Sequence, residues 1–408
     1  MSHLIIKECR ICKSKKLNNF FDLGAQPLAN NFKKNLRIEK FPLCLILCKK
    51  CKTVQLNSTI SPKKLFSKYL WLTSTSLEAK KYSEVFFKKL IKINKKKKPI
   101  ILEIASNDGT FLLPFKKKGY KVIGVEPAKN LARISIKNKI NTENFFFNEK
   151  TAEHIKKKYN AVDIVFARNV IAHVNKIHSF LNGVNKIIKQ DGIFAVEFHS
   201  AEKIQNQLQY DSIYHEHIFY FTAQTICNLF LKHKFYAFDL DFSPISGGAL
   251  VIYFKKIKLQ KSRKLIKFLK KEKKEKINTK INWLKFKKKS INHSKKFMNI
   301  LNEIAKKEKI IAYGASARST VFLNYNRIKE NYISTILDKN YLKSETFSPG
   351  SKIKIILYNN FKKLLTKQKY ILLLAWNFSN EIIKELKKDK FKGKIIQAFP
   401  NITKVYDI

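Results

Sequence analysis

Ile100 to Pro127, read IILEIASNDGTFLLPFKKKGYKVIGVEP, leaves this chain few folds to choose from. Ile100 to Ile104 is a short apolar run, the pattern of a strand buried on both faces. Ala105 to Gly109 is a small, polar turn. Phe111 to Lys118 reads as a helix with an apolar face, and Lys121 to Val125 as a second buried strand closed by Glu126 and Pro127. Strand, tight turn, helix, strand and acid make the doubly wound nucleotide-binding unit, so the fold class is α/β with a central Rossmann-like domain. A carboxylate in the place of Glu126 can accept hydrogen bonds from both hydroxyls of a ribose.

The turn favours S-adenosylmethionine over a dinucleotide. A pyrophosphate needs G-x-G-x-x-G, with bare backbone over the helix start. Here only Gly109 is glycine, and Ala105 and Asn107 fill the other positions. Asp108 would repel phosphate but suits an ammonium or sulfonium group. Glu103, inside the strand, has no evident surface role and can hold the methionine ammonium group.

Nearer the amino terminus, Cys9-Arg10-Ile11-Cys12 and Cys48-Lys49-Lys50-Cys51 form two C-x-x-C knuckles. Each knuckle can place two thiolates on one tetrahedral ion. The 35 residues between them allow a small hairpin. Two such pairs argue against a redox dithiol, and four cysteine ligands leave no open catalytic position, so a structural zinc is expected. Cys44 reads as a core thiol.

The chain has 408 residues, 45% of them hydrophobic, which suits two or three domains with real cores. No apolar run reaches the roughly 18 residues that span a bilayer. The start, MSHLIIKECR, is no secretory signal, so a cytoplasmic location is expected. The formal charge of +53 raises nucleic acid as a partner. The lysines are spread over every segment, however. Lysine, asparagine, isoleucine and phenylalanine are abundant together while glycine is scarce, the composition an AT-rich genome dictates. No specific nucleic acid and no membrane are expected as partners.

Phe21 to Phe32, FDLGAQPLANNF, with Val54-Gln55-Leu56 and Leu65-Phe66-Ser67-Lys68-Tyr69-Leu70-Trp71, resembles the sugar C-methyltransferases. These enzymes methylate a ring carbon of a nucleotide-linked keto-deoxysugar. The resemblance implies a small zinc-binding domain over 1–75, a methyltransferase domain over 76–254, and a helical bridge with a second Rossmann-like domain over 255–408. The family commonly has two tyrosines near Tyr69; Trp71 stands at the second position, leaving Tyr69 as the phenol. Glu103 to Gly109 resembles the family's first-strand phrase, with Ala105 in place of its usual glycine. Phe147 to Ala152 also resembles the family and would lie near the adenine edge.

Asp163 to Ala167 is a further buried strand. Arg168-Asn169-Val170-Ile171-Ala172-His173-Val174 follows at its carboxyl end, where α/β sheets place ligands, and Asn169 joins the cofactor set. His173 is open between a cleft residue and a core histidine. Gly192 to Glu197 is another strand, and Ser246 to Tyr253 is expected to close the sheet.

Between them, Ser212-Ile213-Tyr214-His215-Glu216-His217-Ile218-Phe219-Tyr220-Phe221 groups two imidazoles, a carboxylate and a phenol. Such groups are costly to bury without purpose. Methylation at carbon needs a base to take a proton next to a carbonyl and a donor to steady the enolate. H-E-H also invites a metal reading, but it does not match H-E-x-x-H. The family phrase resembles Tyr214, Glu216 and His217, which implies His217 as base, Tyr214 as donor and Glu216 as the group orienting His217. His199 is a further candidate for the cleft.

Lys255 to Lys309 reads as two long helices bridging to the last domain. Ile310 to Ser319 then begins a second strand–turn–helix. Gly314, Ser316 and Arg318 suit a diphosphate at a helix start, and Asn377 lies in another family-like phrase. The whole chain reads as a monomeric S-adenosylmethionine-dependent C-methyltransferase acting on a nucleotide-linked 4-keto sugar. Two other readings remain: a zinc-ribbon nucleic-acid methyltransferase, favoured by charge alone, and a non-catalytic zinc and Rossmann interaction protein.

Overall fold

The computed structural model describes residues 3–34 and 38–408. The amino-terminal region has β1 (His3–Ile5), β2 (Leu17–Pro27), β3 (Lys40–Cys48), β4 (Val54–Leu56) and β5 (Ser58–Ile60). β2 and β3 form the antiparallel hairpin between the two cysteine pairs. The central region follows with β6 (Ile100–Ile104), β7 (Lys121–Val125), β8 (Asn141–Glu143), β9 (Val162–Arg168), β10 (Ile188–His199), β11 (Phe219–Tyr220), β12 (Tyr236–Ser243) and β13 (Ala249–Lys255). The last region has β14 (Ile310–Tyr313), β15 (Ile333–Asp338), β16 (Ile355–Leu357), β17 (Tyr370–Leu373), β18 (Lys394–Gln397) and β19 (Lys404–Asp407).

The central sheet runs β12-β13-β10-β9-β6-β7-β8. β6 to β10 pair in parallel, and β13 runs against its neighbours β10 and β12. β6 reads as apolar text broken only by Glu103 because both faces are covered. Leu102 and Ile104 pack into one core, while Ile101 packs into another with Phe86, Phe111 and Phe115. Alternation along a strand sends Glu103 to the same face as Ile101.

Some boundaries differ from those the sequence suggests. The helix after the first turn is only Leu113–Lys117, because Pro114 can occupy only its first turn and Gly119 follows. The helix before β6 is Leu77–Asn94, with Ser76 capping Ala79 N. The strand expected to close the sheet is β13. It lies inside the sheet, and its hairpin partner β12 takes the edge.

The last sheet runs β16-β15-β14-β17-β18-β19, all parallel except β19. Counted within the domain, this is the 3-2-1-4-5-6 order of a dinucleotide fold, with its switch point between β14 and β17. The two bridging helices are Arg263–Lys274 and Lys280–Ala305. They are not free arms. Trp283 and Phe286 of the second pack on Phe20 and Phe21 of β2.

The three regions interlock. β11, from the central region, pairs with β4 and gives the amino-terminal sheet the order β11-β4-β3-β2. One core joins Phe21 and Leu45 to Tyr210 and Ile213, and these to Val321 and Phe322. Among the described residues, no helix is long and apolar enough to cross a membrane.

Candidate active site

The four knuckle cysteines converge. Cys9 and Cys51 sulfurs lie 3.6 Å apart, Cys12 and Cys48 sulfurs 3.5 Å apart, and all four within 4.8 Å of one another. A tetrahedral zinc with ~2.3 Å bonds sets its sulfurs about 3.8 Å apart, so the donors fit that ion. Gln55 Nε2 donates to Cys9 Sγ at 3.1 Å. Arg10, inside the first knuckle, donates to the carbonyls of Leu56 and Ser58 at 2.6 and 2.7 Å, tying the metal site to β4. Cys44 lies apart from the cluster, and burial pushes its thiol up to about 11. Among the described residues, His215, Glu216 and His217 do not form a metal cluster.

A cavity of about 750 Å³ lies where the carboxyl ends of the central and last sheets face each other. Glu103, Ala105, Asn107, Glu126 and Asn169 line its central side. Glu126 accepts from Asn107 N and Ala128 N, each at 2.8 Å. Burial raises its carboxyl to about 7, against the pull of those amides. Glu103 Oε2 is buried without a hydrogen-bond partner, and burial holds its carboxyl well above the usual range. An unpaired buried carboxylate oxygen facing a cavity is what a ligand ammonium group would satisfy, so these residues fit S-adenosylmethionine. Asn169 is set in place by Glu197, which accepts its Nδ2 at 2.7 Å.

Two expected cofactor residues lie outside this lining. Asp108 turns its carboxylate away to accept Ser74 N at 2.9 Å and Thr110 Oγ1 at 2.6 Å. Gly109 serves the turn: its φ is +82°, and a Cβ there would meet Ile140 Cδ1 at 2.3 Å. Asn107 both lines the cavity and holds the chain above it, accepting Thr73 N and donating to Trp71 O. Trp71, at the family's second tyrosine position, stacks on Phe378 of the last region, 6.0 Å between ring centres.

The catalytic candidates sit in the turn before β11. His217 Nδ1 is 2.9 Å from the Ser212 carbonyl, so that nitrogen carries the proton and Nε2 is bare. Tyr214 Oη donates to Nε2 at 2.7 Å. Burial, then His173 and His199, holds His217 well below the usual histidine range, so the ring is a neutral base. Glu216 does not orient it. Its carboxylate accepts from Asn30 Nδ2 at 2.8 and 2.9 Å and from Tyr69 Oη at 3.3 Å. The orienting group is the Ser212 carbonyl, because the turn brings that carbonyl, not the neighbouring side chain, under the ring. His215 faces away and lies within 3.2 and 3.3 Å of the Phe41 and Pro42 carbonyls of β3. His173 lines the cavity, its ring centre 4.9 Å from that of His217. His199 lines it too, with Nε2 buried and unpartnered.

Gly314, Ser316, Arg318 and Asn377 line the opposite wall. Ser316 caps the helix Ala317–Tyr325. Arg318 is not poised over the helix start as a free diphosphate ligand. It donates to Gln209 Oε1 at 2.7 Å, lies 3.7 Å from Asp211 and rests on the Trp376 ring. Its Nη1 alone is buried without a partner. Sequence reading missed Asn30 and Asp338. Asn30 stands in the family-like phrase Phe21 to Phe32, but the partners of the two residues are 186 and 23 positions away.

Family models match three successive stretches: a zinc binding domain at 9–66, a methyltransferase domain at 79–237 and a C-methyltransferase C-terminal domain at 244–400. C-methyltransferase NovU of Streptomyces niveus is 27% identical over 389 residues, covering 93% of this chain and 91% of that protein. Among solved structures, a protein of Pyrococcus horikoshii OT3 aligns with TM-score 0.38 and 17% identity, over 47% of this chain and 97% of its own. An S-adenosylmethionine-dependent methyltransferase of Clostridium acetobutylicum aligns with TM-score 0.35 and 12% identity, over 45% and 94%. With zinc-binding, methyltransferase and C-terminal domains in that order around one cavity, the chain belongs to the S-adenosylmethionine-dependent C-methyltransferases.

Proposed function

We propose that the carbon acceptor is a ring position next to the ketone of a nucleotide-linked keto-deoxysugar. The observation that carries this reading is the Tyr214–His217 pair, placed on a cavity that two nucleotide-type crevices share. Bound S-adenosylmethionine supplies an electrophilic methyl group; Glu103, Asn107 and Glu126 would hold it. The last domain would hold the nucleotide, with Gly314 and Ser316 on its diphosphate side.

The protein's own part is to make the acceptor carbon nucleophilic. His217 Nε2 takes the proton alpha to the ketone. Tyr214, whose hydroxyl occupies Nε2 in this structure, turns that hydroxyl to the ketone oxygen and steadies the enolate. The Ser212 carbonyl keeps His217 in the tautomer that leaves Nε2 bare and stabilises the imidazolium that forms. Glu216 positions Tyr69 and Asn30 along the wall.

Incubation with methyl-labelled S-adenosylmethionine and a panel of nucleotide-linked 4-keto and fully hydroxylated sugars tests the reading. Label should enter a keto sugar at a carbon-bound position. Label entering oxygen or nitrogen, or entering nucleic acid, would overturn it.

A further inference from the structure

Asp338 ends β15, the second strand of the last sheet, as Glu126 follows β7, the second strand of the central sheet. The two carboxylates are built in alike. Glu126 bridges the amide of Asn107, in the turn after the first strand, and the amide of Ala128, two residues onward. Asp338 bridges the amide of Ala315, in the corresponding turn, at 2.7 Å, and the amide of Asn340, two residues onward, at 2.8 Å. Both line the same cavity from opposite walls. We propose that Asp338 accepts a ribose hydroxyl of the acceptor's nucleotide. The proposal rests on the reading that the last domain binds that nucleotide.

The bridging role does not exhaust this carboxylate. Each oxygen accepts one backbone amide and has a second acceptor direction left. Lys343, its side chain 6% exposed, donates to the Ala315 carbonyl and lies 3.5 Å from Asp338 Oδ2. That neighbour offsets the cost of a carboxylate in a partly closed cavity. A negative group here repels phosphate, which sends the diphosphate along the turn toward the Ser316 end of the helix. Gly314 keeps that path tight, since a Cβ on it would meet Ala375 Cβ at 2.3 Å. Two residues past Ser316 comes Arg318, which holds Gln209, within the segment that leads to Tyr214 and His217. Ribose, diphosphate and sugar would thus run from Asp338 past Ser316 to the catalytic pair.

The test measures binding to the full-length protein saturated with S-adenosylhomocysteine. UDP, GDP, CDP, ADP and dTDP are titrated first, and the tightest is compared with its analogue lacking every ribose hydroxyl. The analogue should bind about tenfold or more weakly, the usual worth of a hydrogen bond to a charged group. In Asp338→Asn and Asp338→Ala that ratio should fall toward one, with S-adenosylhomocysteine affinity unchanged. Equal binding of nucleotide and analogue to the wild type would overturn the proposal, and this arm decides it even if both variants unfold. A ratio that survives in a folded variant would overturn it too. If no diphosphate binds while S-adenosylhomocysteine does, the nucleotide reading fails as well, a result distinct from equal binding.

Discussion

His217 and Tyr214 carry the chemistry between them, and each has a separable effect. His217→Asn should keep the Ser212 contact and the cofactor affinity but lower turnover roughly 10²–10⁴-fold, the usual worth of a positioned base. With S-adenosylhomocysteine bound, wild-type protein in heavy water should exchange the proton alpha to the acceptor ketone, and the variant should not. Tyr214→Phe should slow both turnover and that exchange, by a smaller factor, because the enolate loses its donor while the base remains. Because burial holds His217 well below 6.5, the base stays neutral in mild acid, and the acid limb of its activity should lie below that value. Glu126 behaves differently. Its carboxyl sits near 7, and its ionised form is the better acceptor for ribose hydroxyls. S-adenosylmethionine affinity should therefore strengthen as pH rises through 7, and calorimetry at pH 6 and 8 would show it. Glu126→Gln should remove most of that slope. Residue identities were legible where chemistry is local: the four thiols needed only spacing, while the Tyr214 phrase stood out by its density of acid–base side chains and took its roles from the family resemblance. The facing of Asp108 was not, since a turn of polar residues does not state which side chain turns outward. Nor was the Asn30–Glu216 contact, which exists only once the domains close.

At the level of elements, the turn after β6 is under strain that its sequence explains. Ala105 and Asn107 have φ of +57° and +54°. A left-handed alanine costs about 1–2 kcal/mol, part of which glycine would return as unfolded-state entropy. Ala105→Gly should therefore leave stability level or raise it by about 1 kcal/mol, read by denaturant titration; a clear loss would mean the methyl group makes a contact that matters. The strands themselves were legible, because β6, β7 and β9 are buried on both faces and write apolar runs interrupted only by Lys121, Glu103, Asp163 and Arg168. The β12–β13 exchange was not, since strand order is set by how a hairpin folds back. The zinc knuckles act on the catalytic turn through β4. Arg10 fixes β4, β4 pairs with β11, and β11 continues directly from His217 and Ile218. Cys48→Ser should lose the metal, lower the melting temperature by at least about 1 °C, the equivalent of about 1 kcal/mol for a chain of this length, and reduce turnover although zinc takes no part in the reaction. Metal content, calorimetry and activity on one preparation check all three.

Across the whole molecule, the cavity takes its lining from all three regions, from Asn30 to Ile382 along the chain. The segment from Tyr69 to Ser74 is pinned by Asn130, Asn107 and Asp108 on one side and by Asn340 on the other. Three-region architecture was legible because each region writes its own signature: paired thiols, then two strand–turn–helix units. Their interlocking was not, since nothing in the text near Phe219 says that this strand completes a sheet begun at β2. That borrowed strand has a cost in time. Tyr220 leaves the ribosome roughly 10–30 s after its partner Val54, at ordinary elongation rates. For that interval the growing chain carries β4 as an open edge, a template for pairing with other nascent chains. A chain ending before Phe219 should therefore aggregate where the full-length protein does not, and light scattering on the two, made side by side with zinc, would measure the difference.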